Sequence, residues 1–212
     1  DVQKVVFTGS TRTGQQIMSG AVKTLKHLTL ELGGNDAGIV LPDANLDKIA
    51  KQLFNVAFLN AGQTCAALKR LYVHESQYEA LAQKLADIAN AQVVGDGMLS
   101  GTTFGPVQNQ MQYQKVKALI ADAVSQGAKA LSGDQTVPEQ GYFIAPTILT
   151  EVDESCGVVQ QEQFGPVLPI LKYRDIEDAI ARANASEFGL GGSIWSSDLP
   201  AAQVYASKLQ CG

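Results

Sequence analysis

The sequence predicts an α/β fold in which a mainly parallel sheet is covered by helices on both faces. Short apolar runs alternate with stretches of helical periodicity, and no internal repeat or low-complexity tract interrupts them. Hydrophobic residues make up 45% of the 212 residues and charged residues only 17%, which predicts a sizeable core. Strands alternating with helices of about 10–18 residues form crossover units and hence parallel pairs. Ligands are then expected beyond the carboxyl ends of the strands.

The elements follow from apolar runs and their periods. Strands are predicted at 5–8, 27–32, 37–41, 69–74, 128–131, 146–149, 167–173 and 192–195. Helices are predicted at about 9–25, 45–59, 78–88, 109–126 and 175–184, and a terminal helix is expected to end within 208–212, with Gly212 as its stop signal. The first residue is not Met and neither end carries a polar tail, so we expect a fragment of a longer protein.

Composition excludes several classes of partner. The 16 Lys and Arg residues against 21 Asp and Glu residues give a net charge of −5, without a basic cluster. We therefore expect no nucleic-acid partner and no membrane partner. Cys65, Cys156 and Cys211 match neither a disulfide framework nor a close-spaced metal set. They predict free thiols in a cytoplasmic protein, and no metal site.

The first candidate segment runs from Phe7 to Gly14. A strand ends at Gly9, Ser10 can cap the next helix, and a second glycine follows at Gly14. This arrangement leaves backbone N–H groups and a helix N-terminus where an anion could dock. An ordinary strand-to-helix turn with a hydroxyl cap explains the same residues, and the spacing is not the common G-x-G-x-x-G.

The second segment is Glu31-Leu32-Gly33-Gly34. A carboxylate at the end of an apolar strand, followed by two glycines, is expected to be partly buried. Burial disfavours the charged form, which makes Glu31 a candidate general base. Alternatively, Glu31 caps backbone N–H groups in the turn.

The third segment, Gly62-Gln63-Thr64-Cys65, follows a helix that ends at a glycine. A thiolate near free backbone N–H groups would be stabilised and reactive, whereas a lone cysteine among alanines is otherwise a buried, inert thiol. His27 and His74 lie at strand boundaries, so neither a Cys–His dyad nor a Ser–His–Asp triad is supported. Cys156 and Cys211 are predicted to be structural.

The fourth segment is Glu162-Gln163-Phe164-Gly165-Pro166-Val167, in which an acidic and an aromatic residue precede a strand. Glu162 could bind a ribose hydroxyl and Phe164 could pack against a flat ring. Phe164 could equally anchor the core beneath the turn.

Taken in this order, the four segments resemble those of the aldehyde dehydrogenase superfamily. Further matches are 69–73, 146–149, Asn184 and 188–190, so the resemblance covers essentially the whole chain. It implies a catalytic-domain-like α/β fold, an aldehyde substrate, and NAD or NADP as cofactor. The parent protein is expected to be a homo-oligomer.

The resemblance also assigns the chemistry. Cys65 would attack the aldehyde carbon to give a thiohemiacetal, which passes hydride to the nicotinamide. Glu31 would activate the water that hydrolyses the resulting thioester, and the backbone N–H of Cys65 would help to stabilise the oxyanion. Glu31 favours a free carboxylic acid product, because members that transfer the acyl group to coenzyme A generally lack this glutamate.

The remaining segments would bind the cofactor. By resemblance, Ser10 faces the pyrophosphate and the Leu32 carbonyl touches the nicotinamide. Glu162 would hold the nicotinamide ribose, and Phe164 would shape the pocket. Gly9 and Gly14 would allow close packing at the pyrophosphate.

The resemblance implies a domain division, with residues 1–32 as the end of the dinucleotide-binding domain and 33–212 as the catalytic domain. Most of the cofactor site, an oxyanion asparagine and the strand that pairs subunits would lie outside this chain. We therefore expect the isolated chain to be inactive in full turnover. Two alternatives stay open: a folded structural or interaction module, and a cofactor-independent thiol esterase.

Overall fold

The computed structural model describes residues 2–212, which form two separate sheets. The first sheet pairs β1 (Lys4–Thr8) in parallel with β2 (His27–Glu31), with α1 (Thr11–Ala21) and a 3₁₀ turn (Val22–Thr24) between them. This unit buries little: within α1 only Gly14 and Ala21 are buried, and Val6 in β1 is 65% exposed.

The second sheet contains six strands and carries most of the core. Its strands are β3 (Asp36–Val40), β4 (Leu68–His74), β5 (Lys129–Ala130), β6 (Thr147–Thr150), β7 (Val167–Tyr173) and β8 (Gly192–Trp195). Their order is β5-β6-β7-β4-β3-β8, and all neighbours are parallel except the β5–β6 pair. The central pairs place Ile39 opposite Tyr72 and Leu71 opposite Ile170.

Helices cover both faces of this sheet, which confirms the predicted fold class. They are α2 (Leu46–Phe58), α3 (Tyr78–Asn90), α4 (Gln110–Ser125), α5 (Gly157–Gln160), α6 (Ile176–Asn184) and α7 (Leu199–Ala206). One core cluster joins α2 and α3 to the sheet, and a second joins α4, α5 and α6 to its other face. Asn45, Asn109 and Asp175 cap their helices through side-chain oxygens.

Three sequence predictions differ from the structure. α1 begins at Thr11, because Ser10 is its cap and the Gly9 N–H donates to Glu31 O (3.0 Å) in the strand pairing. The short helix α5 was not predicted. The terminal helix ends at Ala206, and 208–212 is not its last turn, because Asn184 fixes that segment: its side chain donates to Lys208 O (2.9 Å) and accepts from Gln210 N (2.9 Å).

No helix within residues 2–212 has the length and apolar composition needed to cross a bilayer.

Candidate active site

Cys65 lies in a loop between α2 and β4 whose backbone is held in an unusual conformation. The loop begins with a tight, left-handed turn (Leu59–Gly62) in which Asn60, Ala61 and Gly62 all have positive φ, at 53°, 57° and 72°. The turn packs directly on the loop that precedes β7, and a Cβ at Gly62 would lie well under 3.0 Å from the Gly165 carbonyl oxygen. Gly62 is therefore required both for its φ and for this backbone contact.

Cys65 itself is a half-buried free thiol. Among residues 2–212 its backbone N–H has no hydrogen-bond acceptor, so this donor can serve a ligand. The loop carbonyls point the other way: Lys69 Nζ donates to Thr64 O (2.9 Å), Cys65 O (2.7 Å) and Ala67 O (3.4 Å).

Glu162 and Phe164 lie on the loop before β7, which folds against the Cys65 loop. Phe164 has φ 50°, and the buried Gln163 side chain donates to Lys69 O (3.2 Å) and to Val158 O. On α4, Lys115 Nζ donates to Glu162 O (2.7 Å) and Gln112 Nε2 donates to Phe164 O (3.0 Å). These bonds fix the backbone on both sides of Gln163.

The paired glycines of the second segment wedge between these two loops. The Gly34 N–H donates to Glu162 Oε1 (3.1 Å), and a Cβ at Gly33 would collide with the same carboxylate. A Cβ at Gly34 would lie 2.9 Å from Cys65 O. Two consecutive glycines thus let a carboxylate and a carbonyl approach the backbone from either side.

Glu31 ends β2 and its side chain is exposed, so the expectation of partial burial is wrong. The reason is that β2 pairs only with β1, and no other described strand covers it.

The first segment forms the remaining wall. Ser10 Oγ accepts from Thr13 N (3.3 Å), as its capping role predicts. The Gly9 N–H donates to Glu31 O (3.0 Å) in strand pairing, so it is not among the backbone donors available to an anion. The first-turn N–H groups of Thr11 and Arg12 remain without intrahelical acceptors. Gly14 is buried behind the wall, where a Cβ would lie 2.7 Å from Leu32 Cδ2.

These pieces enclose one cleft of about 520 Å³. Every predicted site residue except Gly14 lines it, namely Gly9, Ser10, Glu31, Leu32, Cys65, Glu162 and Phe164. Gly14 contributes by packing α1 against Leu32. The roles assigned to these residues stay predictions.

The position of the cleft differs in part from expectation. It lies beyond the carboxyl ends of β1 and β2, as predicted. Cys65 and Glu162, however, precede β4 and β7, so the cleft opens at the amino ends of the larger sheet. The two walls of the cleft belong to different sheets. The rule that ligands bind beyond the carboxyl ends of parallel strands describes a single sheet, so it does not hold for a cleft between two sheets.

Glu162 in the cleft wall and Lys69 beneath it carry opposite charges and perturb each other's pKa. Burial raises the pKa of Glu162, and Lys69 and the Gly34 N–H partly offset this rise. Burial lowers the pKa of Lys69, opposed by Glu162, Asp36 and Cys65. Glu162 Oε1 lies 3.8 Å from Lys69 Nζ, which is close enough for an ion pair.

The other cysteines and the histidines lie outside the cleft. Cys156 is buried and contacts Gln126 Oε1, and Cys211 is exposed near the chain end. His74 Nδ1 hydrogen-bonds with Ser76 Oγ (2.8 Å), and His27 opens β2. Over the described part of the chain, no group of three or more His, Cys, Asp or Glu side chains is arranged to hold a metal ion.

Sequence reasoning missed several residues of the cleft. Gln112 and Lys115 line it and Lys69 supports it from below, while Thr8 and Gln63 lie in the candidate segments but had no role assigned. Lys69 lies in the matched segment 69–73, but nothing in the sequence indicates that a lysine at a strand start is 3% exposed.

Comparisons with known proteins agree with this geometry. The pattern of the aldehyde dehydrogenase family matches residues 1–212. The chain is 40% identical over 211 residues to glutarate-semialdehyde dehydrogenase of Pseudomonas putida, covering 100% of this chain and 44% of that protein. It is 41% identical over 198 residues to the succinate-semialdehyde dehydrogenase [NADP(+)] GabD of Escherichia coli, covering 93% and 41%.

A solved structure gives the same result. The NAD⁺ complex of aldehyde dehydrogenase from Bacillus cereus matches with a TM-score of 0.95 at 37% identity, covering 99% of this chain and 43% of that one. The α/β fold and the relatives together point to a family of dehydrogenases. The chain belongs to the aldehyde dehydrogenase family. It spans less than half the length of the relatives it matches.

Proposed function

We propose that this chain is the thiol-bearing part of an NAD(P)-dependent aldehyde dehydrogenase that converts an aldehyde to a carboxylic acid. The observation that carries this proposal is the convergence of Cys65, Glu31, Glu162 and Phe164 on one cleft. The division at residue 32 belongs to the proposal and is supported by the separate two-stranded sheet.

The chain's own residues supply a covalent route. The Cys65 thiolate adds to the aldehyde carbon, and the new alkoxide accepts a hydrogen bond from the Cys65 N–H. Oxidation of this thiohemiacetal leaves a thioester on Cys65. Glu31 takes a proton from water as the water oxygen attacks the thioester carbonyl, and the products are the carboxylic acid and the Cys65 thiolate.

The cleft offers groups suited to part of a dinucleotide. α1 presents first-turn N–H groups to an anion beside Ser10, and Gly9 lines the same part of the cleft. Gly14 sets the packing of α1 on Leu32, whose carbonyl is proposed to meet the nicotinamide. Glu162 offers a carboxylate for ribose hydroxyls, and Phe164 offers a ring face. When bound, NAD or NADP accepts the hydride from the substrate.

The short span of the chain supports a second proposal, that the isolated 212 residues do not sustain cofactor-dependent turnover. It covers 41% of GabD and 44% of the glutarate-semialdehyde dehydrogenase. Cys65 and Glu31 nevertheless share the cleft, and this observation favours a residual activity toward activated esters that needs no cofactor.

The experiment combines both reactions. Formation of reduced cofactor is followed by absorbance with a panel of aldehydes and NAD or NADP. In parallel, the chain is mixed with an activated acetyl ester, and acylation and deacylation of Cys65 are followed by mass spectrometry. We expect no steady cofactor reduction, together with acylation that is lost in Cys65→Ala. Glu31→Gln should slow deacylation by about 100-fold or more, the lower end of general-base effects.

Glu151→Gln is the matched control, because Glu151 is an exposed carboxylate paired with Lys129 outside the cleft. Steady, Cys65-dependent cofactor reduction would contradict the proposed incompleteness. Acylation that persists in Cys65→Ala, or deacylation unchanged in Glu31→Gln, would overturn the assigned roles and leave a structural module as the better account.

For the whole protein we propose a small-molecule aldehyde as substrate, a homo-oligomeric state and a cytoplasmic location. The free thiols of all three cysteines support the location. A redox-sensitive label on the whole protein in cells tests it.

A further inference from the structure

Lys69 is the most deeply buried amine of the site, and the chemistry above does not use it. Lys69 is only 3% exposed, although it is followed directly by a second cation, Arg70, near the start of β4. A buried ammonium requires partners, since an unpaired buried charge is strongly unfavourable.

The partners of Lys69 come from two different loops. Its Nζ donates to Thr64 O (2.9 Å) and Cys65 O (2.7 Å) on the nucleophile loop. Its third acceptor, Ala67 O, lies 3.4 Å away. The same Nζ lies 3.8 Å from Glu162 Oε1 on the loop before β7. One side chain therefore joins the thiol-bearing loop to the carboxylate proposed for the ribose.

We propose that Lys69 is a positioning residue that couples the reactivity of Cys65 to the charge of Glu162. The inference rests on the proposed function, since it takes Cys65 as the nucleophile. The ammonium holds the Thr64 and Cys65 carbonyls away from the cleft, which leaves the Cys65 N–H and thiol facing it. Glu162 balances part of its positive charge, so whatever engages Glu162 changes the net field of the pair at Cys65.

This coupling predicts opposite effects for the two charges. Removing the Lys69 ammonium releases the Thr64 and Cys65 carbonyls, whose negative ends can then turn toward the cleft, so Cys65 should react more slowly. Removing the Glu162 charge leaves the Lys69 cation less balanced, so Cys65 should react faster. If Lys69 only supports the loop, the expected result is different. Its loss would then loosen the loop and make Cys65 more accessible, so Cys65 would react faster.

The test is the alkylation rate of Cys65 by iodoacetamide at pH 7 in the 212-residue chain, measured on the Cys65 peptide by mass spectrometry. Glu162→Gln should raise this rate by roughly threefold and Lys69→Met should lower it by roughly threefold to tenfold, the scale of one charge at partly screened range. Lys69→Arg, which keeps the charge, should retain more of the rate than Lys69→Met. The double variant Lys69→Met/Glu162→Gln should match Lys69→Met alone.

Glu151→Gln serves as the control, since its carboxylate pairs with Lys129 and should leave the rate unchanged. A faster rate in Lys69→Met, a rate in Glu162→Gln that is unchanged or lower, or a Glu162 effect that persists without Lys69 would overturn the coupling. If Lys69→Met does not fold, the direction of the change in alkylation rate in Glu162→Gln and in Lys69→Arg decides whether the coupling exists. If Cys65 in the unaltered chain reacts no faster than an ordinary exposed thiol, the nucleophile assignment fails first.

Discussion

Replacing Gly62 by alanine tests whether backbone contact between two loops builds the cleft. The position has φ 72°, and a Cβ there would lie well under 3.0 Å from the Gly165 carbonyl oxygen. The left-handed backbone costs about 1–2 kcal/mol for a residue with a Cβ. Overpacking against a backbone that is itself fixed costs about 1–3 kcal/mol more. Gly62→Ala should therefore lower the free energy of unfolding by about 2–5 kcal/mol.

The assay is thermal and urea unfolding of the chain beside Gly127→Ala. Gly127 also has a positive φ (106°), but a Cβ there meets no atom within 4 Å, so this variant isolates the backbone cost. For a chain of this size each kcal/mol shifts Tm by about 2–4 °C, which predicts a decrease of roughly 4–20 °C for Gly62→Ala. The reasoning is refuted if Gly62→Ala is no more destabilising than Gly127→Ala.

Two further predictions concern other contacts. Gly33→Ala should push the Glu162 carboxylate off the Gly34 N–H and lower the free energy of unfolding in urea by about 1–3 kcal/mol. Gly105→Ala is the control and should change this free energy little, because a Cβ there meets nothing within 4 Å. Burial pushes the pKa of Asp43 up, but hydrogen bonds from Ser196, Asp198 and Ser197 outweigh it and hold the pKa below its usual value. A carboxyl whose pKa is lower in the folded state stabilises the fold above its unfolded-state pKa, and this stabilisation is lost as the pH falls through the folded-state pKa. Asp43→Asn should therefore lower Tm at pH 7, and the difference from the unaltered chain should disappear in acid. A Tm difference that is independent of pH would contradict this reasoning.

Much of the fold could be predicted because its signals are local. The apolar runs at 37–41 and 69–74 became β3 and β4, and helix caps such as Asn45 and Asn109 stand where the periodic stretches begin. The end of the chain could not be predicted this way, because Asn184, far away in sequence, fixes 208–212.

The site shows the same division between local and distant causes. The four motifs identify residues that line one cleft, because each motif can be recognised from its own local sequence. Glu31 is exposed because of what lies next to β2, and Lys69 is buried because carbonyls from one loop and a carboxylate from another surround it. The sequence places glycines at positions 62 and 33, but it does not show which atoms approach them.

The central claim, that Cys65 is the nucleophile of a cleft built by this chain, is tested most directly by comparing the alkylation rates of its three cysteines in the native protein. Exposure alone would rank Cys211 first, half-buried Cys65 second and buried Cys156 last. We predict that Cys65 reacts fastest, because it lines the cleft beside a free backbone N–H and Lys69 holds its carbonyl, while burial and the nearby Asp36 raise the pKa of Cys211. Cys156 should react only on unfolding. If Cys211 reacts faster than Cys65, or all three react only in the unfolded chain, Cys65 is not an activated thiol and the account is contradicted.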